Sequence, residues 1–350
     1  MHDQSPILQL SAVLVLAVGL LAPAAARGDL DPECVLRLAE TAAADMTLAE
    51  LRAQCEAAPV KDVAAADAQN AASTALAAEQ PLPVKERLAA ERESVQRPFT
   101  IMAHEPNYLL VGAYNAQGWD SELFKEAWGD PDYSNRDVEA QFQISLKVPL
   151  AIGLFDRRMD LYGAYTNRSF WQVYNGDYSK PFRETNHEPE IWAQFGNDWT
   201  LFGFANTLNA VGLVHQSNGQ GGVLSRSWNR LYANFIFEKG RWAISVKPWL
   251  RLDRHRSKDD NPDITDYLGH GELRLAYERH GHVYSLMTRN QIESGFDHGA
   301  LEFSWSFPVF DYPYLKGYIQ YFNGYGESLI DYDHRTNRIG IGIALTDWLD

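Results

Sequence analysis

The sequence is short of positive charge and of long apolar runs, and each shortage excludes a class of protein. Its 31 Lys and Arg residues are outnumbered by 46 Asp and Glu residues, and the net charge of −15 argues against a nucleic-acid-binding protein, which would use a basic patch. The mean hydropathy of −0.34 excludes a membrane protein built as a helical bundle, because each spanning helix needs about 20 apolar residues. This value does not exclude a membrane β-barrel, since every second residue of its strands faces a polar interior.

A single long apolar run is present, at the start of the chain. Residues 7–26 read I-L-Q-L-S-A-V-L-V-L-A-V-G-L-L-A-P-A-A-A and end in small residues, which predicts a secretory signal peptide over residues 1–26. His2 and Asp3 precede the run, but no Lys or Arg does, so a retained anchor or a misplaced start codon stays an alternative.

Cysteine is scarce as well, with two residues, Cys34 and Cys55. Both lie in the segment 27–100, which is rich in Ala and acidic residues and contains a low-complexity linker at 64–78. In an oxidising periplasm the two cysteines would form a disulfide that joins two short helices, and no nearby histidine indicates a reactive thiol. We predict a partly helical, partly disordered periplasmic extension over residues 27–100.

From residue 101 to residue 350 the sequence alternates with a period of two, as half-buried strands do. The even number of strands that can be counted, and short turns that alternate with longer connections, are typical of an outer membrane barrel. We therefore predict an all-β fold, a twelve-stranded antiparallel transmembrane β-barrel. A soluble lipocalin-like barrel or sandwich is the alternative, but the signal peptide, the number of strands and the alternation of loop lengths together argue against it. The predicted strands are 105–115, 136–150, 158–171, 185–196, 199–216, 225–238, 241–254, 264–279, 282–292, 298–307, 313–323 and 335–346.

One predicted hairpin brings together residues that could perform nucleophilic catalysis. His215 and Ser217 are two residues apart, so on a strand they share one face with Cα atoms about 7 Å apart. Asn229 lies on the next predicted strand, and the length of the intervening loop returns it beside His215. A nucleophile, a base and a group that orients the base would therefore meet on one hairpin. The backbone N–H of Gly219 is close enough in sequence to bind the oxyanion.

The phase of the second strand indicates which way this group faces. Asn229 and Ser227 are in phase with Leu231 and Ala233, whereas Arg230 belongs to the opposite set. In a membrane barrel the apolar set faces lipid, so the site would lie on the outer surface.

The motif H-x-S-N-G, followed by S-R-S-W-N-R-L-Y, resembles the outer membrane phospholipase A family. Three further stretches resemble the same family in the same order: S-K-P-F-R-E-T-N at 179–186, D-N-P-D-I-T at 260–265 and N-G-Y-G-E-S-L-I-D-Y at 323–332. The resemblance runs from about residue 105 to the end of the chain.

This resemblance implies calcium-dependent hydrolysis of phospholipid acyl esters in the outer leaflet of the outer membrane, of the phospholipase A1, A2 and lysophospholipase type. It implies Ser217 as nucleophile, His215 as proton acceptor and Asn229 as the residue that orients the histidine. It also implies a homodimer whose calcium is bound by the Ser225 hydroxyl, the Gln220 carbonyl and the carbonyl of Ser179 of the partner subunit.

Two features depart from the family pattern. The loop carries Gly222 where the best-known members have an acidic residue, which weakens a calcium site within one subunit. The chain also ends Trp348-Leu349-Asp350 rather than on an aromatic residue. Two alternatives stay open: an inactive barrel that acts as a porin or structural protein, and an esterase that acts on other lipids.

Overall fold

The computed structural model describes residues 82–349 except positions 96, 98, 99, 198, 253–258, 291 and 311. The predicted signal peptide and both cysteines of the extension, Cys34 and Cys55, lie outside the described residues. No helix of the described part of the chain is long and apolar enough to cross a membrane.

Within the described residues, a sheet of fourteen antiparallel strands closes on itself. Two of these strands, β1 at Met102–Ala103 and β6 at Thr200–Leu201, have only two residues each, so the barrel wall is made of the remaining twelve long strands. Pairing of the last strand with β2 at Asn107–Asn115 closes the barrel. The predicted fold is therefore confirmed. The strands are β1 Met102–Ala103, β2 Asn107–Asn115, β3 Val138–Gly153, β4 Met159–Trp171, β5 Phe182–Gly196, β6 Thr200–Leu201, β7 Phe204–Ser217, β8 Ser227–Lys239, β9 Trp242–Arg251, β10 Gly271–Arg279, β11 His282–Arg289, β12 Ala300–Pro308, β13 Lys316–Gly324 and β14 Thr336–Thr346.

In the described part of the chain, four α-helical segments accompany the strands: α1 Pro83–Ser94, α2 Glu122–Trp128, α3 Leu154–Arg157 and α4 Ile264–Leu268. The strand predicted over 264–279 is wrong at its start, because the chain first forms α4 and β10 begins only at Gly271. Ile264 and Leu268 are both buried, and a spacing of four residues places two side chains on one face of a helix as well as of a strand. The helix ends where Gly269 adopts a positive φ of 67°, which an L-residue rarely adopts.

The two faces of the barrel wall differ in chemistry. On β7, Val211 and Leu213 are each about half exposed on the outer face, while Val214 is buried on the inner side. The interior holds ion pairs, among them Arg183 with Glu139 at 2.8 Å. Apolar residues outside and paired charges inside are the arrangement of a barrel whose outer wall contacts lipid.

Helix α1 lies against the inner wall, at the end of the barrel away from the β7–β8 loop. The Glu238 carboxylate, at the far end of β8, accepts hydrogen bonds from the first backbone N–H groups of the helix, Val84 at 2.6 Å and Lys85 at 3.2 Å. Glu91 pairs with Lys147 of β3 at 2.8 Å. A barrel carboxylate thus satisfies the N–H groups that a helix start leaves without partners.

Candidate active site

The β7–β8 hairpin places the predicted catalytic residues in two adjacent cross-strand pairs. His215 is opposite Asn229, and Ser217 is opposite Ser227. Directly opposed residues of antiparallel strands point to the same side, and these four share the phase of the exposed Leu213. The structure therefore brings His215, Ser217 and Asn229 together on the outer face of the barrel.

The hydrogen bond between His215 and Asn229 fixes the state of the imidazole. His215 Nδ1 lies 2.9 Å from Asn229 Oδ1, and because an amide oxygen can only accept, Nδ1 carries the proton. The neutral ring then has an unprotonated Nε2, which is the form that a general base requires. Among the described residues, the hydrogen bond of the His215 ring is the one to Asn229, and none joins the ring to Ser217 Oγ.

The loop after Ser217 is held by Asn218, a residue that sequence analysis missed. Its side chain is buried, and its Oδ1 accepts hydrogen bonds from the backbone N–H groups of Gln220 at 3.2 Å and Arg226 at 3.1 Å. Its Nδ2 donates to the Leu224 carbonyl at 2.7 Å. These bonds fix the backbone at Gly219, where φ is 66°. The signal that could have revealed Asn218 is its place at a strand end before glycine, since Asn often bonds its own loop backbone.

Two of the three predicted calcium ligands lie in the β7–β8 connection. Gln220 is exposed in the loop, and Ser225 follows the 3₁₀ turn Gly222–Leu224. The Ser225 hydroxyl donates to the Asp260 carboxylate at 2.6 Å. Ser179 is exposed on a separate connection, between β4 and β5, at the same end of the barrel.

Asp260 therefore places a carboxylate beside a predicted ligand in a loop where Gly222 supplies no side-chain oxygen. Hydroxyl, carbonyl and carboxylate oxygens are the ligands that Ca²⁺ takes, so these residues fit the ion. Among the described residues, no group of three or more His, Cys, Asp and Glu side chains forms a metal cluster, so the predicted site depends mainly on neutral oxygens. Asp260 lies in one of the stretches that resemble the phospholipase family, but the sequence alone predicted no role for it.

The segment that carries Asp260 is anchored on both sides. Asn261 Oδ1 accepts a hydrogen bond from the Ser227 N–H at 2.9 Å. Asp259 binds the Arg251 guanidinium through both carboxylate oxygens, at 2.7 and 2.8 Å. The position of Asp260 beside Ser225 is thus fixed by its two neighbours in sequence.

The stretch 323–332 covers the same end of the barrel. The Ile330 N–H donates to Glu184 at 3.2 Å, and the Tyr332 hydroxyl donates to Asp263. Burial raises the pKa of Tyr332 above its ordinary value, so the phenol keeps the proton that it donates. All four stretches that resemble the phospholipase family therefore meet at one end of the barrel.

Comparison with known proteins agrees with this geometry. A sequence model described as phospholipase A1 matches residues 84–345. The phospholipase A1 of Klebsiella pneumoniae is 38% identical over 252 residues, which cover 71% of this chain and 84% of that protein.

Two solved structures are similar to the barrel. A Salmonella typhi outer membrane phospholipase dimer with bound calcium has a TM-score of 0.65 and 36% identity, covering 73% of this chain and 96% of that one. An active-site mutant of outer membrane phospholipase A from Escherichia coli, in which alanine replaces an asparagine, has a TM-score of 0.66 and 35% identity, covering 74% of this chain and 97% of that one. These matches confirm the family resemblance that the four sequence stretches carry.

Proposed function

Because this chain belongs to the phospholipase A1 family and is an outer membrane barrel enzyme, we propose that it hydrolyses the acyl esters of outer-leaflet phospholipids, with calcium and as a dimer. The observation that carries the proposal is the His215–Asn229 hydrogen bond on the same outward face as Ser217. A site on this face meets lipid laterally, and the substrate need not enter the barrel interior.

In this mechanism the Ser217 hydroxyl attacks the ester carbonyl. His215 Nε2 takes the proton from Oγ during attack and returns it to the leaving alcohol. Asn229 keeps the proton of the neutral ring on Nδ1 and holds the ring in place. The asparagine replaced in the E. coli active-site mutant supports such a role for an asparagine in this family.

An amide rather than a carboxylate next to the histidine suits the location. An ionised carboxylate is costly to hold at the edge of a hydrocarbon phase, whereas an amide costs less. The amide also stabilises the imidazolium less strongly, so the base is weaker than in a triad with aspartate.

The negative charge on the tetrahedral oxygen needs donors beside Ser217. The Gly219 N–H is one, and the hydrogen bonds of Asn218 hold it in position. Ser225, Gln220 and Asp260 would hold calcium beside it, with the carbonyl of Ser179 of the partner subunit. Bound calcium would supply positive charge next to the developing oxyanion.

Dimerisation follows from the placement of these ligands. One subunit offers calcium mainly neutral oxygens, and a hard divalent ion binds such a set weakly. A second subunit that brings its Ser179 carbonyl to the ion would strengthen the site, so calcium binding and dimerisation would promote each other. The Salmonella typhi relative is a dimer with bound calcium, which supports the proposal.

Fatty acid release from phospholipid vesicles, with calcium and with EDTA, tests the proposal. We expect release in calcium only, and loss of release in Ser217→Ala. An absence of release under both conditions would contradict phospholipase activity, and full release in EDTA would remove calcium from the mechanism.

The passive-barrel alternative is tested separately by ion conductance in a planar bilayer. The interior holds α1 and buried ion pairs such as Arg183 with Glu139, so we expect little conductance. Large conductance without fatty acid release would favour a porin. Release from other lipid esters but not from phospholipids would favour the esterase alternative.

A further inference from the structure

A second histidine lies beside the predicted nucleophile on the outer face. His187 of β5 is directly opposite Ser217 of β7. Opposed residues on antiparallel strands point to the same side, with Cβ atoms about 4.5–5.5 Å apart. Ser217 therefore has His215 two residues away along its own strand and His187 across from it.

The ring of His187 borders the space in front of Gly219. A β-carbon placed on Gly219 would lie 3.8 Å from His187 Cδ2 and 3.9 Å from His187 Nε2. The Cδ2–Nε2 edge of the imidazole thus faces the residue whose backbone N–H is the proposed oxyanion donor.

Two neighbours on β4 fix which nitrogen of His187 carries the proton. Nδ1 lies 2.6 Å from the Tyr165 hydroxyl and 3.4 Å from Asn167 Nδ2. Ser169 Oγ donates to Asn167 Oδ1 at 3.0 Å, which directs the amide nitrogen towards the histidine. An amide nitrogen can only donate, so Nδ1 is an acceptor and the neutral ring is protonated on Nε2.

The two histidines beside Ser217 therefore have opposite polarity. His215 donates from Nδ1 to Asn229 and presents an Nε2 that accepts a proton. His187 accepts at Nδ1 and presents an Nε2–H that donates, and among the described residues this N–H has no partner. A donor beside Gly219 serves an anionic oxygen better than any other substrate group.

We propose that His187 Nε2–H is a second hydrogen-bond donor to an anionic oxygen of the substrate, next to the Gly219 N–H. Two substrate oxygens share this chemistry, namely the oxyanion of the tetrahedral intermediate and a phosphate oxygen of the lipid headgroup. The proposal rests on the proposed phospholipase function. It makes His187 a catalytic residue in the first case and a specificity-determining residue in the second.

The test compares His187→Phe with the wild-type protein on a phosphatidylcholine and on an uncharged p-nitrophenyl ester of the same acyl length. Phenylalanine keeps the aromatic ring beside Tyr165, which stacks on His187 with centroids 6.1 Å apart, and removes both nitrogens. If the donor serves the oxyanion, kcat should fall by about 10²-fold on both substrates. If it serves the phosphate, only hydrolysis of phosphatidylcholine should weaken, chiefly through a higher KM.

The matched control is His282→Phe, because His282 of β11 also stacks on a tyrosine, Tyr284, but lies on another part of the barrel. We expect wild-type kcat and KM for this variant on both substrates. If His187→Phe has the same kcat and KM as His282→Phe on both substrates, the proposal is overturned. Wild-type protein that hydrolyses neither substrate would instead refute the proposed function itself.

A second pair of variants covers the case in which His187→Phe does not fold. His187→Gln has a side-chain N–H that can donate in place of Nε2–H, whereas His187→Met has a similar length and no donor. Folding of each is read from the shift in migration between heated and unheated samples on a gel. Partial recovery of kcat or KM in the glutamine variant relative to the methionine variant supports the proposal, and equal kinetics of the two folded variants overturn it.

Discussion

At one end of the barrel, polar side chains are held in place differently on the inner side and on the outer side of the wall. Inside, Arg183 lies between Glu139 and Asp331, and all three side chains are buried. Outside, His215 and Asn229 form a pair that carries no formal charge while the ring is neutral. Both arrangements fix polar groups in place, but only the inner one uses ionised side chains.

The difference shows what each environment permits. Inside the barrel Arg183 has two opposite charges within reach, Glu139 and Asp331, and removal of the arginine would leave both carboxylates buried and uncompensated. On the outer face one side of each group borders lipid, where no fixed partner can be supplied. In the proposed mechanism a charge appears there only during turnover, on the imidazole and on the ester oxygen, and groups set up in advance would stabilise it.

Removal of the proposed nucleophile, Ser217, should have the largest effect on the rate of fatty acid release. Ser217→Ala should lower kcat for fatty acid release by about 10⁴-fold or more without loss of the folded barrel, and His215→Asn should be equally inactive. Ser227→Ala is the matched control, because Ser227 is opposite Ser217 and on the same face. Substantial release by Ser217→Ala, or a comparable loss in Ser227→Ala, would place the nucleophile elsewhere.

Disruption of the inner ion pairs should lower the free energy of unfolding and leave kcat unchanged. Arg183→Met leaves two buried carboxylates without their cation and should lower the free energy of unfolding by about 3–5 kcal/mol. Guanidinium unfolding in detergent measures this loss, while kcat per folded molecule should stay close to that of the wild-type protein. Arg136→Met is the control, since the Arg136–Asp177 pair is more than half exposed and should matter little. Equal stability of the two variants would contradict the inner–outer contrast.

Replacement of Asn229 tests whether an uncharged partner is enough to orient His215 on the outer face. Asn229→Ala removes the group that orients the His215 ring but leaves the nucleophile and the base, so kcat should fall by roughly ten- to a thousand-fold. This loss is smaller than the loss of about 10⁴-fold in a triad whose histidine has the wrong tautomer. Asn229→Asp keeps an oxygen acceptor for His215 Nδ1–H and should retain more activity than the alanine variant. Initial rates on one phospholipid decide the order, and a loss in Asn229→Ala as complete as in Ser217→Ala would refute the assigned role.

The smallest effect concerns the carboxylate next to Ser225. Asp260→Asn should raise the half-saturating calcium concentration by roughly tenfold, which corresponds to about 1.4 kcal/mol. Gly222→Asp should lower the calcium requirement, most clearly at low enzyme concentration. Activity measured against calcium at two enzyme concentrations tests the shared site, because curves that do not depend on enzyme concentration would remove Ser179 of the partner subunit from the ligand set.

The barrel and the hairpin could be predicted because both depend on relations close in sequence. Alternation of apolar and polar residues is a property of each strand alone. The twelve strands can therefore be counted from it, and Asn229 faces outward because it is in phase with the apolar residues of its strand. His215, Ser217 and Asn229 meet because one loop joins two adjacent strands.

Residues that enter from elsewhere in the chain could not be found in the same way. Asp260 reaches Ser225 from the connection after β9, and His187 reaches Ser217 from the preceding long strand. Helix α1 is equally remote from its partners, since the Glu238 that binds its first N–H groups lies 154 residues beyond Val84. Nothing in the local pattern of any of these segments specifies its partner.

The register of β7 on β8 has a consequence for how the chain can change. A slip of one residue would turn every side chain of one strand to the opposite side, so His215 and Asn229 would lie on different faces of the wall. Alignment of the site is therefore all-or-none. Gly212 helps to keep it, because a β-carbon at this position would lie only 2.7 Å from Trp192 and from the Tyr232 ring, and a side chain would collide with both. A single-residue deletion between the β7–β8 loop and either His215 or Asn229 would therefore turn one of these two side chains away from the other.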